Sequence, residues 1–391
     1  MKNKKHVILA NIVLLYMLSS CISEFEATGV EDMSGLLVVE GIIVEEGAKI
    51  TLSRTVKLDE ILSKNYLFEG VNYASIHIID EAYNVVAVAE QYDTGKYIVN
   101  EKFSFVPGMK YALDIEVYWK HYQSAFVEPV YTPEIDSVNW TFNDDNSIDI
   151  MVSTHDPENE TLNCLWNFEE NWEIRSRFQT MLRYDITTAT VIPQSLYGDN
   201  RYYCWATSSS QSLLLATSEK YRDAVIKDHK IHTLQPGNSR YSYLYSITVN
   251  QYRLNRDASL YFNNLQRNID DSGSLFAPQP SEITGNIQCL SDPDETVIGY
   301  IFASKPVTSR LFIQMAEQNL NYFEDRTECD TERMFLDPRD AYYAGYSIFG
   351  ANDDGRYSYI SARCVDCTQR QGAGYPSPTK IKPDFWPNDH Q

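Results

Sequence analysis

Between residues 35 and 130 the chain alternates short apolar runs with breaks that are rich in glycine and acidic residues. Leu36–Val44 is rich in β-branched residues, and Ala48–Thr55 and Tyr111–Val117 place apolar side chains at every second position. Strands at this spacing, with turn signals between them, are typical of a β-sandwich and leave no room for crossover helices. We therefore predict an immunoglobulin-like β-sandwich for residues 35–130.

The pattern changes at Glu128–Pro133, where two prolines bracket a short segment, and we place a domain boundary there. Two later segments have helical spacing, Glu219–Lys230 and Arg256–Ile269, the second with Asn255 as a possible cap. In the second helix Leu260, Phe262, Leu265 and Ile269 are expected near one face. The remaining pattern of this half is that of strands.

Near the end of the second half, Ile283–Gln288 and Thr296–Ser304 have the pattern of a closing strand pair. The fold class that follows is mainly β. It consists of an N-terminal immunoglobulin-like β-sandwich and a larger β-rich domain with helical insertions over residues 131–368. We interpret residues 369–391 as a C-terminal tail.

The first residues of the chain have the pattern of a bacterial lipoprotein export signal. A basic head precedes a short apolar run, Val7–Leu18, and Leu18-Ser19-Ser20-Cys21 forms a lipobox. The apolar run is shorter than the roughly 20 residues of a spanning helix. We expect residues 1–20 to be the signal peptide and Cys21 the lipid attachment site, so that acyl chains alone hold the protein at the membrane. Residues 22–34 would form a flexible, acidic tether.

Charge restricts the partners of the chain. The sequence has 54 acidic and 33 basic residues, and loss of three lysines with the signal takes the net charge from −21 to −24. A protein this acidic repels phosphate backbones, which argues against nucleic-acid binding. The simplest role of the charge is solubility at an exposed surface.

After Cys21 six cysteines remain, which allows up to three disulfides in an exported protein: Cys164, Cys204, Cys289, Cys329, Cys364 and Cys367. The Cys364-Val365-Asp366-Cys367 motif occurs elsewhere in redox catalysts and zinc sites. No second ligand pair stands nearby, and a glycine- and proline-bearing loop follows the motif. We interpret Cys364 and Cys367 as disulfide cysteines, bonded within the motif or to Cys329 or another cysteine.

Other polar patterns give weak signals. His229 and His232 stand three apart beside Asp228, but without a third metal ligand a solvated helix end is the better interpretation. The acidic segments Asn143–Asn146 and Asp292–Glu295 lack the alternating ligands and glycine of a calcium loop. The sequence has no nucleophile elbow, phosphate loop or zinc-protease motif. We assign no catalytic residue, metal or cofactor.

Five aromatic residues are candidates for a surface on which a sugar or peptide stacks, with core packing as the alternative for each: Trp172, Tyr197, Tyr202, Tyr203 and Trp205.

The end of the chain carries a recognisable signature. Cys364–Arg370, the glycines Gly372 and Gly374, and Lys382–Trp386 resemble the end of the domain-of-unknown-function 4249 lipoproteins of Bacteroidota. The same resemblance extends to the lipobox, Leu37–Gly41, Pro133–Val138, Gly273–Phe276 and Gly285–Ile287. It implies a mainly β, outer-membrane-anchored lipoprotein, commonly encoded beside a TonB-dependent receptor. It implies no catalytic residues.

We expect a non-enzymatic accessory lipoprotein that faces the cell exterior, associates with a TonB-dependent receptor and assists capture of a nutrient or metal complex. The sequence does not name the ligand, which is a small molecule, glycan or peptide. Two other classes stay open: a surface hydrolase acting on glycans or peptides, and a structural or adhesive surface module.

Overall fold

A computed structural model describes residues 35–56, 69–194, 201–241, 243–271, 285–315, 329, 331–332, 337–353, 355–369 and 378–387. The first half contains strands β1 (Leu37–Ile43), β2 (Lys49–Arg54), β3 (Glu69–Gly70), β4 (Ser75–Asp80), β5 (Val85–Asp93), β6 (Lys96–Val99), β7 (Tyr111–Val117), β8 (Lys120–Ser124) and β9 (Val130–Tyr131).

The middle of the chain contains β10 (Ile135–Phe142), β11 (Ile148–His155), β12 (Asn163–Arg175), β13 (Leu182–Asp185), β14 (Thr190–Pro193), β15 (Tyr203–Ser209), β16 (Leu214–Thr217), β17 (Val225–Leu234) and β18 (Leu244–Arg253). Helix α1 (Arg256–Asp271) follows, then β19 (Ile287–Cys289), β20 (Val297–Ile298), β21 (Phe302–Lys305), β22 (Val307–Gln314), β23 (Thr331–Glu332), helix α2 (Pro338–Tyr343), β24 (Tyr346–Ala351) and β25 (Tyr357–Ser361). Short 3-10 turns lie at Ser239–Tyr241, Ala362–Cys364 and Cys367–Gln369. The prediction of a mainly β protein is confirmed.

The first body is a 12-stranded half-barrel sheet with the order β19-β8-β7-β4-β5-β6-β2-β1-β21-β9, to which β3 and β20 add at β2 and β1. The alternating apolar positions of these strands point into one core, where Leu37, Ile76 and Ile115 are fully buried. One continuous sheet takes the place of two stacked sheets, so the immunoglobulin-like detail of the prediction is not confirmed.

The first body also draws strands from far along the chain. The segments expected to pair with each other instead join the first sheet: β19 pairs with β8, and both β20 and β21 pair in parallel with β1. They complete the core with Ile287, Val297 and Ile301. The first sheet therefore extends across the boundary expected at residues 128–133.

One glycine makes this return possible. Gly299 has φ +139°, and a Cβ there would lie 2.0 Å from the carbonyl oxygen of Val39 in β1. Side chains rarely adopt this backbone conformation, and the space is already filled by backbone. Only glycine fits where the returning chain crosses β1.

The second body packs the sheet β10-β11-β17 and the sheet β15-β12-β18-β22, with β16 beside β12, around one core. Trp166 and Trp172 are buried between these elements. The helix expected at Glu219–Lys230 is wrong, because residues 225–234 form β17 and pair with β11. Burial of Ile226 and Ile231 in this pairing outweighs the weak helix propensity of the segment.

The structure contains disulfides between Cys204 and Cys367 and between Cys329 and Cys364. Cys364 and Cys367 are thus both disulfide-bonded, but not to each other. The reason is that the two side chains enter different apolar clusters: Cys367 belongs to the core of the second body, whereas Cys364 packs with Ile360 and Val365. Of the three disulfides that were possible, the third is not formed, since Cys164 and Cys289 are buried free thiols.

The segment interpreted as a tail is partly folded. Thr379 bridges to Trp205, and Trp386 is buried against Trp205 and Leu244. The Arg310 guanidinium lies 3.2 Å from the centre of the Phe385 ring. Residues 378–387 therefore belong to the second body.

Candidate ligand-binding groove

A groove of about 930 Å³ lies where the first and second bodies meet. Its walls are helix α1, strand β9, and the loops around residues 160–163 and 217–220. The volume is within the range of small-molecule sites, roughly 300–1,000 Å³, and junctions between bodies are frequent binding sites.

Helix α1 forms one wall of the groove because one of its faces is buried against the protein and the other is exposed. The Asn255 side chain accepts a hydrogen bond of 2.8 Å from the amide of Ala258, and so caps the helix as predicted. Ala258 and Tyr261 face inward, whereas Leu260 and Ile269 are more than half exposed. The helix is confirmed, but the apolar face expected from Leu260 and Ile269 is wrong.

The outward face of α1 carries the groove-lining side chains at helical spacing: Arg256, Ser259, Leu260, Asn263, Asn264 and Arg267. Arg256 and Arg267 are eleven residues apart, which corresponds to about 16 Å along the helix. The inward face packs on Leu165 of β12 and Phe302 of β21, so it touches both bodies. The packing of the helix thus fixes the position of the arginines.

The four cationic side chains of the groove differ in whether they form an ion pair with a described residue. Arg253 lies at the base, 2.9 Å from Asp156 Oδ2 and 3.1 Å from Glu160 Oε2. Lys220, Arg256 and Arg267 are exposed and form no ion pair with any described residue. Their charges are available to a ligand.

Three glutamates, Glu128, Glu160 and Glu219, also line the groove, against four cations. Asp156, which pairs with Arg253, brings the acidic and basic side chains to four each, so the groove is less acidic than the chain as a whole, which has 54 acidic and 33 basic residues. Arginine binds carboxylates through two parallel hydrogen bonds, and asparagine side chains add neutral donors and acceptors. The groove is therefore suited to an extended anionic ligand.

The described lining of the groove contains no histidine or cysteine. Across the described residues, no group of three or more histidine, cysteine, aspartate or glutamate side chains is arranged to hold a metal ion. Neither described helix has the length and apolarity that crossing a bilayer requires. The side chains that line the groove offer charges and hydrogen-bonding groups to a ligand.

The two histidines of the sequence pattern lie outside the groove, on β17 and not on a helix end. The His229 ring stacks on Trp166 with 5.2 Å between centres, and burial lowers the pKa of His229. His232 Nε2 lies 3.1 Å from Glu170 Oε1. Both rings pack in the second body rather than forming a metal site.

The candidate stacking aromatics do not form a surface. Trp172 and Trp205 are buried, while Tyr202 and Tyr203 are half-buried and pack edge to face on each other. Tyr197 lies outside the described residues, as do Cys21 and residues 22–34. Core packing accounts for the buried tryptophans.

The acidic segments form turns. At residues 143–146, the Asn146 amide donates to the Asn143 carbonyl oxygen. In the second segment Asp292 and Glu295 both contact Lys120.

The groove-lining arginines were not singled out in the sequence. The signal that could have found them is the helical spacing of Arg256, Asn263 and Arg267, which places polar residues on the face opposite Ala258 and Tyr261. The loops on the other wall come from residues 128–131, 160–163 and 217–220, and no local pattern indicates that these segments meet.

A family model described as a domain of unknown function (DUF4249) matches residues 22–310. Comparison with curated proteins finds no match.

Proposed function

The chain belongs to the family defined by the domain of unknown function DUF4249, and on this premise we propose that it is a non-enzymatic accessory lipoprotein of the outer membrane. Lipidation at Cys21 anchors it, and its groove captures an anionic nutrient or metal complex. It associates with a TonB-dependent receptor, which takes over the ligand.

The observation that carries the ligand class is a set of three cations, Lys220, Arg256 and Arg267, that form no ion pair within the described part of the chain and line a groove of an otherwise acidic protein. A groove with low-dielectric walls focuses the field of its own charges. The surrounding negative charge weakens non-specific attraction of anions elsewhere on the surface. Selectivity for a multiply charged anion follows from the separation of Arg256 and Arg267 along one helix face.

Calorimetric titration with citrate and with ferric citrate tests the groove. These are multivalent carboxylate probes of suitable charge. In the double variant Arg256→Gln/Arg267→Gln we expect affinity to fall at least about tenfold, because a hydrogen bond to a charged group contributes about 1.5–3 kcal/mol. Arg339→Gln is the matched control, since Arg339 is exposed on α2 and does not line the groove. Equal binding by both variants would contradict the anionic ligand site.

Receptor association has its own test. The lipidated protein is purified from native outer membranes, with and without cross-linking, and bound proteins are identified by mass spectrometry. A stoichiometric TonB-dependent barrel is the expected result. A protein that never retains a barrel, even after cross-linking, would refute the accessory role while leaving ligand binding intact.

The surface hydrolase stays as a second candidate because Glu128, Glu160 and Glu219 line the same groove. Paired carboxylates are the catalytic groups of most glycosidases. Turnover in a panel of glycans and peptides, abolished by Glu→Gln at one of these positions, would replace our proposal. A structural or adhesive module would show neither ligand binding nor receptor association.

A further inference from the structure

An aromatic tip projects from one end of the half-barrel. It consists of Tyr118 and Trp119, the two residues that connect β7 to β8, and the neighbouring Tyr73. The Trp119 side chain is fully exposed and Tyr73 is 92% exposed. A shallow depression of about 540 Å³ lies between these rings and Glu116, Lys120 and His121. The rings of Tyr73 and Trp119 are thus held in solvent, beside a Tyr118 ring that is 57% exposed.

The backbone at the aromatic tip is strained. Tyr118, Trp119 and Tyr73 have φ values of +50°, +65° and +61°. Two-residue hairpin turns with positive φ at both positions favour Asn-Gly, because bulky side chains are disfavoured in that conformation. Strain of this kind persists at functional sites, where the side chains do something that the better turn residues cannot.

The tip lies beside the point where the chain enters the folded body. The Arg54 guanidinium is 5.7 Å from the centre of the Tyr118 ring, and its Nη1 donates to the carbonyl oxygen of Gly35. The Gly35 amide in turn donates to the Thr55 carbonyl oxygen at 2.7 Å. The thirteen residues 22–34 reach at most about 45 Å when fully extended.

We propose that Tyr73, Tyr118 and Trp119 insert into the headgroup region of the bilayer next to the acyl chains on Cys21. This inference rests on the lipid anchor of the proposed function and adds a second, aromatic contact to it. Tryptophan and tyrosine prefer the membrane interface, because their apolar rings and polar N–H or O–H groups match the boundary between headgroups and acyl chains.

The charges at the tip favour a zwitterionic surface. Lys120 is neutralised by Asp292 and Glu295, and the negative charge of Glu116 in the depression is offset by the Arg54 guanidinium beside the Tyr118 ring. The chain as a whole is strongly acidic, so anionic headgroups would repel it. Aromatic insertion, which needs no net attraction of charge, is the contact that remains.

The second contact would orient the body. Strand β1 starts at Leu37, close to the aromatic tip, and ends at Ile42–Ile43, where it pairs with β21. The groove strand β9 pairs with the following residues of β21, Ser304 and Lys305. Seven strand residues span about 23 Å. Contact at the tip therefore directs the groove away from the bilayer.

The test measures quenching of Trp119 by brominated lipid. The full-length lipidated protein is reconstituted in phosphatidylcholine vesicles with bromine on the acyl chains near the headgroups. The emission difference between wild type and Trp119→Phe gives the Trp119 signal. Each of the other five tryptophans is buried or half-buried, and Trp140→Phe is the control for the most accessible of them.

We expect brominated lipid to remove most of the Trp119 signal and to leave the Trp140 signal unchanged. If the protein stays in the vesicles but Trp119 is not quenched, the membrane contact is refuted and the lipid anchor stands. If the protein is not lipidated and leaves the vesicles, both proposals fail. If brominated lipid does not quench Trp119 emission but addition of maltohexaose shifts it, the tip would be assigned to glycan binding instead.

Discussion

Glu170 and Arg240 form a two-point ion pair inside the second body, with Nε–Oε1 and Nη2–Oε2 distances of 2.8 and 2.9 Å. His232 Nε2 lies 3.1 Å from the same carboxylate, and the Tyr245 hydroxyl donates to it at 2.9 Å. The guanidinium lies 4.1 Å from the centre of the Trp172 ring. A buried carboxylate is tolerated here because each of its oxygens has a charged or polar partner.

This network predicts a pH dependence of stability. Burial alone would raise the pKa of Glu170, but the hydrogen bonds from His232 and Arg240 outweigh it and hold the pKa below its usual value. As pH falls, the Glu170 carboxylate is therefore protonated in the unfolded chain before it is protonated in the folded one. Its contribution to stability is complete above the unfolded pKa of about 4.3 and is lost as pH falls through the folded pKa.

In Glu170→Gln we expect the free energy of unfolding at neutral pH to fall by about 1.5–3 kcal/mol, because Arg240, whose side chain is 17% exposed and also contacts Asn238, loses its hydrogen bonds to a charged partner. The decline of stability towards about pH 3 should also be shallower than in the wild type. Urea unfolding across this pH range measures both effects. Glu158→Gln, at an exposed position, should change neither.

The two disulfides should differ in their effect on stability. The Cys204–Cys367 bond closes a loop with a sequence separation of 163 residues, and Cys329–Cys364 closes one of 35. In the chain-entropy account the longer loop restricts the unfolded chain more, by about 1 kcal/mol. The pair Cys204→Ala/Cys367→Ala should therefore lose more stability than Cys329→Ala/Cys364→Ala.

Peptide mapping without reduction checks the pairing directly. We expect 204–367 and 329–364 cross-linked peptides. Burial raises the pKa of the Cys164 thiol to about 12, so this thiol should react with alkylating agents only after unfolding. A peptide that links Cys364 to Cys367 would contradict the structure.

Gly299→Ala should disrupt the closure of the half-barrel. A Cβ at this position meets the Val39 backbone, which cannot move without breaking the pairing of β1. We expect a loss of at least about 3 kcal/mol, from overlap together with backbone strain. Gly108→Ala is the control, because Gly108 also has positive φ but has nothing within 4 Å of the added atom. Similar losses in the two variants would show that strain alone is responsible.

Local features of the fold could be predicted from the sequence, and non-local ones could not. Alternation in Tyr111–Val117 and the Asn255 cap of α1 depend on neighbouring residues, and both are confirmed. The return of β19–β21 to the first sheet depends on positions such as Phe302, whose partner in β1, Ile42, stands 260 residues earlier in the chain (302 − 42). Periodicity shows that a strand exists, but not which strand it pairs with.

The candidate groove also combines local features that the sequence shows with contacts between distant segments that it does not show. The helical spacing of Arg256 and Arg267 is visible in the sequence, whereas the opposing loops meet only in the folded chain. Cys364 and Cys367 were identified as disulfide cysteines, but their partners depend on which core each side chain enters. The exposed tip was missed because tyrosine and tryptophan beside a strand normally indicate core, and the positive φ of Tyr118 leaves no mark in the sequence.

Relief of strain at the aromatic tip should stabilise the protein. In the unlipidated Cys21→Ala background, we expect Tyr118→Asn/Trp119→Gly to raise the free energy of unfolding by about 1–2 kcal/mol, because these residues tolerate the positive φ of the turn. Trp119 is fully exposed and Tyr118 is 57% exposed, so relief of strain should outweigh the lost contact between Arg54 and the Tyr118 ring. Tyr221→Asn, which removes a ring that is 71% exposed at a position without positive φ, should leave stability within about 0.5 kcal/mol of the background. Denaturant unfolding of the three proteins decides the matter. A stabilised double variant, together with lipid quenching of Trp119 in the lipidated wild type, would show that the chain holds Tyr118 and Trp119 at a cost in stability for their contact with the membrane. A destabilised one would mean that the rings support the fold, and strain could no longer be taken as a mark of function.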